Sequence, residues 1–166
     1  MASRTGDGSM IRLGLAVAGA TLIVDQATKA YFYALLVEEG RRAIEVLPFF
    51  NLVTVWNYGI SFGLFNTGSP YTAYLLIAIA LAIVAALGFW LKSATHPWIA
   101  TALGLVMGGA IGNVVDRLRF GAVFDFLDFH ALGWHWPAFN VADSAITVGV
   151  LMLLIDALSE RKASSK

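Results

Sequence analysis

Four stretches of this chain stay apolar for about the length of a membrane span, and the polar residues between them fall into a few tight groups. Residues 11–36, 71–91, 97–115 and 139–158 each supply roughly the twenty residues that cross a hydrocarbon core in helical form. The second is a run of mainly Leu, Ile, Ala and Val that carries no ionisable group before Lys92, as expected of a plain scaffold helix. The first follows Arg4 and Arg12 in the manner of a signal peptide. No small-residue cleavage site comes after it, and the helical pattern runs on through Asp25 and Lys29 to Leu36, so it is expected to be a retained helix. Residues 1–10 are polar and glycine-bearing and are expected to be disordered.

Between the first two spans lies Leu47-Pro-Phe-Phe-Asn-Leu-Val-Thr-Val-Trp56. Its β-branched and aromatic residues behind a proline predict one or two short strands, forming a small sheet on the membrane surface. In the third span Ala100, Gly104, Gly108 and Gly112 recur every fourth residue, a small-residue stripe that lets a neighbouring backbone come close. The stripe leads to Asn113, Asp116 and Arg117, which share one side of the helix end. Asp116 and Arg117 are expected to form an interfacial ion pair that ends the helix. Asp25 and Lys29, one turn apart on the first helix, are expected to form a structural pair that tethers the surface sheet. Asn57, Gly59 and Gly63 in Asn57-Tyr-Gly-Ile-Ser-Phe-Gly63 read as an exposed turn whose asparagine can hydrogen-bond an extended peptide.

Composition agrees with a bilayer as the solvent: 58% of residues are hydrophobic and only 13% charged, against about a quarter charged in soluble domains. Mean hydropathy is +0.73. A net charge of zero offers no basic surface, so nucleic acid is not expected as a partner. With no cysteine there are no disulfides, thiolate metal ligands or thiol nucleophile. The chain is therefore expected to be a single all-α polytopic membrane domain over residues 1–166, with four transmembrane helices and a small exoplasmic sheet.

Four spans place both termini on one side. Arg4, Arg12, Lys92, Arg161, Lys162 and Lys166 lie on that side, and Lys29, Arg41, Arg42, Arg117 and Arg119 on the other. Setting aside Lys29, Arg117 and Arg119 as partners of nearby carboxylates puts the termini in the cytoplasm and residues 37–70 and 118–138 outside.

The chemistry narrows by elimination. No Gly-x-Ser-x-Gly nucleophile elbow is present, and no unpaired lysine stands near Ser61 or Ser144. Asp128, His130 and His135 gather in one loop but lack a His-Glu-x-x-His helix, so a zinc peptidase ranks below the alternatives and no metal or cofactor is expected. Two carboxylates suffice by themselves: when both converge on one water, one keeps its proton and the other acts as base. Asp143 opens the fourth helix and Asp125 lies beyond the third, where the chain can fold back. Asp143 also suits a helix cap, and Asp128 remains a rival to Asp125.

Taken together, Asp25-Gln-Ala-Thr-Lys29, Asn57-Tyr-Gly-Ile-Ser-Phe-Gly63, Gly108-Gly-Ala-Ile-Gly-Asn-Val-Val-Asp-Arg117, Val123-Phe-Asp-Phe-Leu-Asp-Phe129 and Phe139-Asn-Val-Ala-Asp143 resemble the lipoprotein (type II) signal peptidases of the bacterial inner membrane. The resemblance implies four transmembrane helices, a periplasmic β-cradle, and an aspartyl protease that cuts lipid-modified prolipoproteins before the diacylglyceryl cysteine. It implies a catalytic pair of Asp125 and Asp143, with Asp25, Lys29, Asn57, Gly59, Gly109, Asn113, Asp116, Arg117, Asn140 and Ala142 in support. Phe124 departs from the valine usual in that family before the first catalytic aspartate. Prolipoprotein and membrane lipid are the expected partners, and a monomer the expected state. A non-enzymatic transporter or lipoprotein-binding scaffold is the alternative from another class.

Overall fold

A computed structural model of the protein describes residues 8–59 and 70–164. Among the described residues four helices are long and apolar enough to span a membrane, and the loops at one end build a four-stranded antiparallel sheet. Helix α1 (Gly8–Phe32) continues as a π-helical segment, Tyr33–Glu38. Strands β1 (Ala43–Leu47) and β2 (Phe50–Asn57) follow, then α2 (Pro70–Leu91), α3 (Pro97–Phe120), β3 (Val123–Ala131), β4 (Trp134–His135) and α4 (Val141–Ser164).

Helix α2 turns Tyr71, Tyr74 and Leu75 outward near its start and Phe89 and Trp90 near its end, the aromatic-at-both-ends pattern of a lipid-facing span. Helix α3 is the buried centre, and its small residues explain how. A Cβ added at Gly104 would stand 2.5 Å from the Gly14 carbonyl oxygen, and one at Gly108 2.5 Å from that of Ala18, so the stripe seats α1. On the next face, a Cβ at Gly109 would stand 2.5 Å from the Ala142 carbonyl oxygen, which seats α4. Leu91, Leu103, Met107 and Ala18 close the core where α1, α2 and α3 meet.

Several boundaries differ from those the sequence predicts. Gly8, Ser9 and Met10 belong to α1 rather than to a disordered leader; residues 1–7 lie outside the described residues. Helix α3 continues to Phe120 and is ended by Gly121, whose left-handed φ of 73° lets its N–H bond the Arg117 carbonyl. Asp116 and Arg117 are thus inside the helix and do not terminate it. Helix α4 begins two residues later than predicted and runs on to Ser164.

The predicted strand segment, residues 47–56, supplies β2; β1 lies just before it, sharing only Leu47, and pairs with β2 about a turn at Pro48 and Phe49. Nor were β3 and β4 predicted: they come from the second loop and complete the strand order β1-β2-β3-β4. Leu132 and Gly133, at φ 51° and 79°, make the two-residue turn between them, a geometry that matches the twist of paired strands. Phe124 and Phe126, both essentially buried, pack with Trp56 of β2 and anchor the sheet against Phe32, Tyr33 and Leu36. The unusual phenylalanine at 124 therefore fills the joint between helix and sheet.

Candidate active site

Asp125 lies two residues into β3 and is 1% exposed; Asp143 lies in the first turn of α4. Asn140 ties them together. Its side-chain amide donates to Asp125 Oδ1 at 2.7 Å, and its backbone N–H donates to Asp143 Oδ2 at 3.2 Å. The Asp143 N–H in turn donates to Asn140 Oδ1 at 3.0 Å. Asn140 and Asp143 thereby form a reciprocal capping box, with Asn140 as the cap and Asp143 three residues on. The capping role expected for Asp143 is real but shared, and it holds the carboxylate toward β3. Each acid receives one more amide: Asn57 Nδ2 donates to Asp125 Oδ2 at 3.2 Å and Asn113 Nδ2 to Asp143 Oδ1 at 2.8 Å.

Burial pushes the Asp125 carboxyl up from its ordinary 3.8 to about 7, and the nearby charge of Asp143 adds to the rise. The amides of Asn57 and Asn140 and the more distant Lys29 oppose it. Around neutrality one of the two acids can therefore hold a proton while the other is charged, the division of labour a two-carboxylate hydrolase needs.

Beneath the pair sits a buried ionic cluster. Lys29 Nζ is 3.0 Å from Asp25 Oδ2 and 3.0 Å from Asp116 Oδ2, and donates to Asn113 Oδ1 at 3.1 Å. The Asp25–Lys29 pair forms as predicted, but its direct partners are on α3 and at the start of α4 rather than on the sheet. Asp116, however, takes its ion pair from Lys29 and not from Arg117, because α3 turns Asp116 inward toward α1. The Arg117 guanidinium instead donates to the Gly59 carbonyl at 2.8 Å, while the Gly59 N–H donates to Asn57 Oδ1 at 3.1 Å. The Asn57-Tyr-Gly turn is thereby pinned to α3 beside Asp125. Residues 60–63 of that motif, including Ser61 and Gly63, lie outside the described residues.

Of the supporting residues expected from the sequence, Ala142 is fully buried and acts through its backbone N–H, which donates to Asp25 Oδ1 at 2.9 Å. Gly109 provides close approach for the same turn. Asp128 is brought elsewhere. Three residues beyond Asp125 on a strand, it points to the opposite face of the sheet. There it accepts from Asn51 Nδ2 at 3.1 Å and lies 2.9 Å from His135 Nδ1. His130 and His135 stack with ring centroids 4.8 Å apart. Among the described residues no group of three or more His, Asp or Glu side chains is arranged to hold a metal ion.

Comparison with known proteins gives the family of the chain. The family model described as signal peptidase (SPase) II matches residues 17–159. The chain belongs to the signal peptidase II family. It is 47% identical over 144 residues to a lipoprotein signal peptidase of Methylobacterium sp. (strain 4-46), covering 87% of each chain. A second lipoprotein signal peptidase, from Nitrobacter hamburgensis, is 42% identical over 158 residues, 93% of this chain and 96% of its own. A solved structure described as a bacterial membrane enzyme, determined by the in meso method at 2.3 Å, superposes with a TM-score of 0.77 at 30% identity. The alignment covers 100% of this chain and 96% of that one. Another, determined by the same method at 1.9 Å, gives 0.76 at 27% identity, over 95% and 98% of the two chains. As a signal peptidase II this protein is a multi-pass membrane hydrolase of peptide bonds, and the transporter or scaffold alternative is not favoured.

Sequence reasoning overlooked two features of this peptidase site. Gln26 places its amide nitrogen 3.1 Å from both Asp25 Oδ2 and Asp116 Oδ1. It stands between Asp25 and Lys29 in the same motif, and only its contact with Asp116 across the helix interface gives it a role. The other is Gly112: a Cβ there would collide with the Asp25 carboxylate, so the last glycine of the packing stripe makes room for an acid rather than for a backbone.

Proposed function

We propose that Asp125 and Asp143 are the catalytic acids of this signal peptidase II, and that they hydrolyse the peptide bond preceding the diacylglyceryl cysteine of a prolipoprotein. The observation that carries the reading is the shared grip of Asn140 on both carboxylates. It aims two acids from different elements at one space beside the helix ends. Asp143 sits at the amino end of α4, which favours a negative charge. It takes a proton from a water as that water attacks the scissile carbonyl. Asp125, protonated, hydrogen-bonds the carbonyl oxygen as charge develops there. When the tetrahedral species collapses, the C–N bond breaks and the leaving nitrogen takes up the proton Asp143 received. Water supplies the hydroxyl of the new carboxyl group.

The four spans and the resemblance to bacterial relatives support an inner-membrane location with cytoplasmic termini and the sheet on the periplasmic side. The far end of the sheet supports contact with the lipid surface. Two neighbouring hairpin tips there expose Leu47, Phe49, Leu132 and Trp134, with Leu132 wholly exposed. An apolar edge of this kind suits an interface rather than open water. Diacylglyceryl chains dissolved in the same leaflet then hold the substrate at the depth of the acids.

The test uses the purified full chain and a diacylglyceryl-modified preprolipoprotein, with release of the signal peptide as the readout. Wild type is expected to cut it, and Asp125→Asn and Asp143→Asn to insert and fold but lose essentially all cleavage. The double variant should be no worse than either single, as for groups acting as one unit. Strong residual activity in either single variant refutes the mechanism. Equal turnover of an unlipidated substrate refutes the substrate assignment.

A further inference from the structure

The residue immediately before each catalytic acid hangs by its backbone N–H from a buried carboxylate. Phe124 N–H donates to Asp116 Oδ2 at 3.1 Å, and Ala142 N–H donates to Asp25 Oδ1 at 2.9 Å. Asp125 and Asp143 are thus each suspended from a different helix: Asp125 from α3 through Asp116, Asp143 from α1 through Asp25. The distance between the two acids follows the distance between the two suspending carboxylates. Two buried carboxylates side by side repel each other unless something bridges them. Lys29 bridges them with its charge, 3.0 Å from each.

Gln26 bridges them a second time. Its Nε2 lies 3.1 Å from Asp25 Oδ2, 3.1 Å from Asp116 Oδ1 and 3.3 Å from the Gly112 carbonyl. The amide carries only two hydrogens for these three acceptors. A neutral amide adds no charge to a cluster that already holds one lysine and two acids, so neutralisation is not its contribution. What it supplies is direction: it fixes Asp25 to Asp116 along a second line, and Gly112 leaves the space in which Asp25 can reach it.

We propose that Gln26 is a positioning residue that, together with Lys29, yokes Asp25 to Asp116 and thereby sets the separation of Asp125 and Asp143. The inference rests on the dyad reading given above. Without the Gln26 bridge the lysine still stands between the two acids, but their separation is no longer fixed from two sides. A loosened dyad positions the attacking water less well, and misplacement on the scale of an ångström costs up to about a hundredfold in rate.

The experiment compares Gln26→Met, which keeps the volume without the donors, and Gln26→Ala with wild type on lipidated preprolipoprotein across pH, alongside thermal unfolding of the full chain. The groups acting on Asp125 are Asp143 from α4, Lys29 from α1, Arg117 from α3, Asn57 from β2, and Asn140 before α4. Of these, the yoke is expected to move chiefly Asp143. Both variants are expected to fold, to lose roughly ten- to a hundredfold in kcat with little change in KM, and to shift the alkaline limb of kcat/KM to lower pH, because a more distant Asp143 raises the Asp125 carboxyl less. An alkaline limb identical to wild type in both, with activity falling only in proportion to folded protein, overturns the proposal. So does failure of both to fold, since Gln26 would then be a stability element. Failure of the dyad reading looks different: Asp125→Asn would remain active, whereas failure of this inference leaves Asp125→Asn inactive.

Discussion

Asn140 and Asp125 are joined by a 2.7 Å bond from side-chain amide to carboxylate, made by the same residue that caps the helix carrying Asp143. One side chain thus serves both local helix geometry and the aim of the site. Asn140→Ala keeps the backbone N–H bond to Asp143 but is expected to cost about 1 kcal/mol as a lost cap, and to lower kcat by around a hundredfold by releasing the Asp125 carboxylate from the capping residue. Thermal unfolding and cleavage kinetics on the same preparation separate the two effects; a loss of activity no larger than the loss of folded protein would show Asn140 to be a cap alone.

The pH dependence follows from Asp125. Its carboxyl is raised to about 7, mainly by burial and then by Asp143, so the protonated form that the proposed mechanism requires at the scissile carbonyl is lost as pH climbs through that value. The kcat/KM profile should fall on the alkaline side of about pH 7. Stability has the same sign: with a folded value above the unfolded one, the contribution of Asp125 is fully present below 3.8 and lost as pH rises through about 7. Asp125→Asn should therefore gain melting temperature relative to wild type on going from pH 5 to pH 8. A difference between the two proteins that does not change with pH contradicts this.

Asp128→Asn should keep substantial cleavage activity. Asp128 faces away from Asp125 across the sheet and spends its oxygens on Asn51 and His135. If this variant is as inactive as Asp125→Asn, the pairing of acids is wrong.

Removing Asp25 is expected to act on folding first. Asp25→Ala strips Lys29 of one of its two acids and leaves the Ala142 N–H buried without its acceptor. Breaking a buried pair of this kind costs on the order of 3 kcal/mol. A purified variant as stable as wild type yet wholly inactive would overturn the reading of Asp25 as a stability element.

The chain contains no cysteine, so one introduced at a chosen site reports alone. A fluorophore attached through Leu132→Cys, in bilayers of brominated phospholipid, should be quenched from the lipid side and shielded from aqueous iodide. One attached through Glu39→Cys should react with impermeant reagents added outside. Iodide access at 132, protection there from both quenchers, or labelling at 39 only from inside would each contradict the proposed seating of the sheet.

The sequence by itself determined the solvent and the scaffold. Long apolar runs have no stable alternative to spanning a bilayer, because every backbone group in hydrocarbon must be satisfied within its own segment. The four-residue spacing of Gly104 and Gly108 announced the close approach of another backbone for a similarly local reason, since residues four apart share a helix face, and the structure shows that backbone to be α1. The motifs also contained every polar group of the site.

What they did not contain was the pairing. Asp116 stands next to Arg117 in the chain but answers to Lys29, because neighbours in a helix point about 100° apart while residues of packed helices can point at one another. The strand carrying Asp125 was missed although Val123-Phe-Asp-Phe-Leu-Asp-Phe129 is rich in strand-forming residues, since interspersed aspartates made it look like a loop. Its strand character depends on β2 lying alongside, a contact between segments some seventy residues apart. Gln26 went unnoticed because a lone glutamine acquires a role only once α3 brings Asp116 to it. Apolar length and face periodicity are local properties that a chain displays before it folds; which buried acid meets which donor is a matter of long-range geometry, and only the tertiary structure decides it.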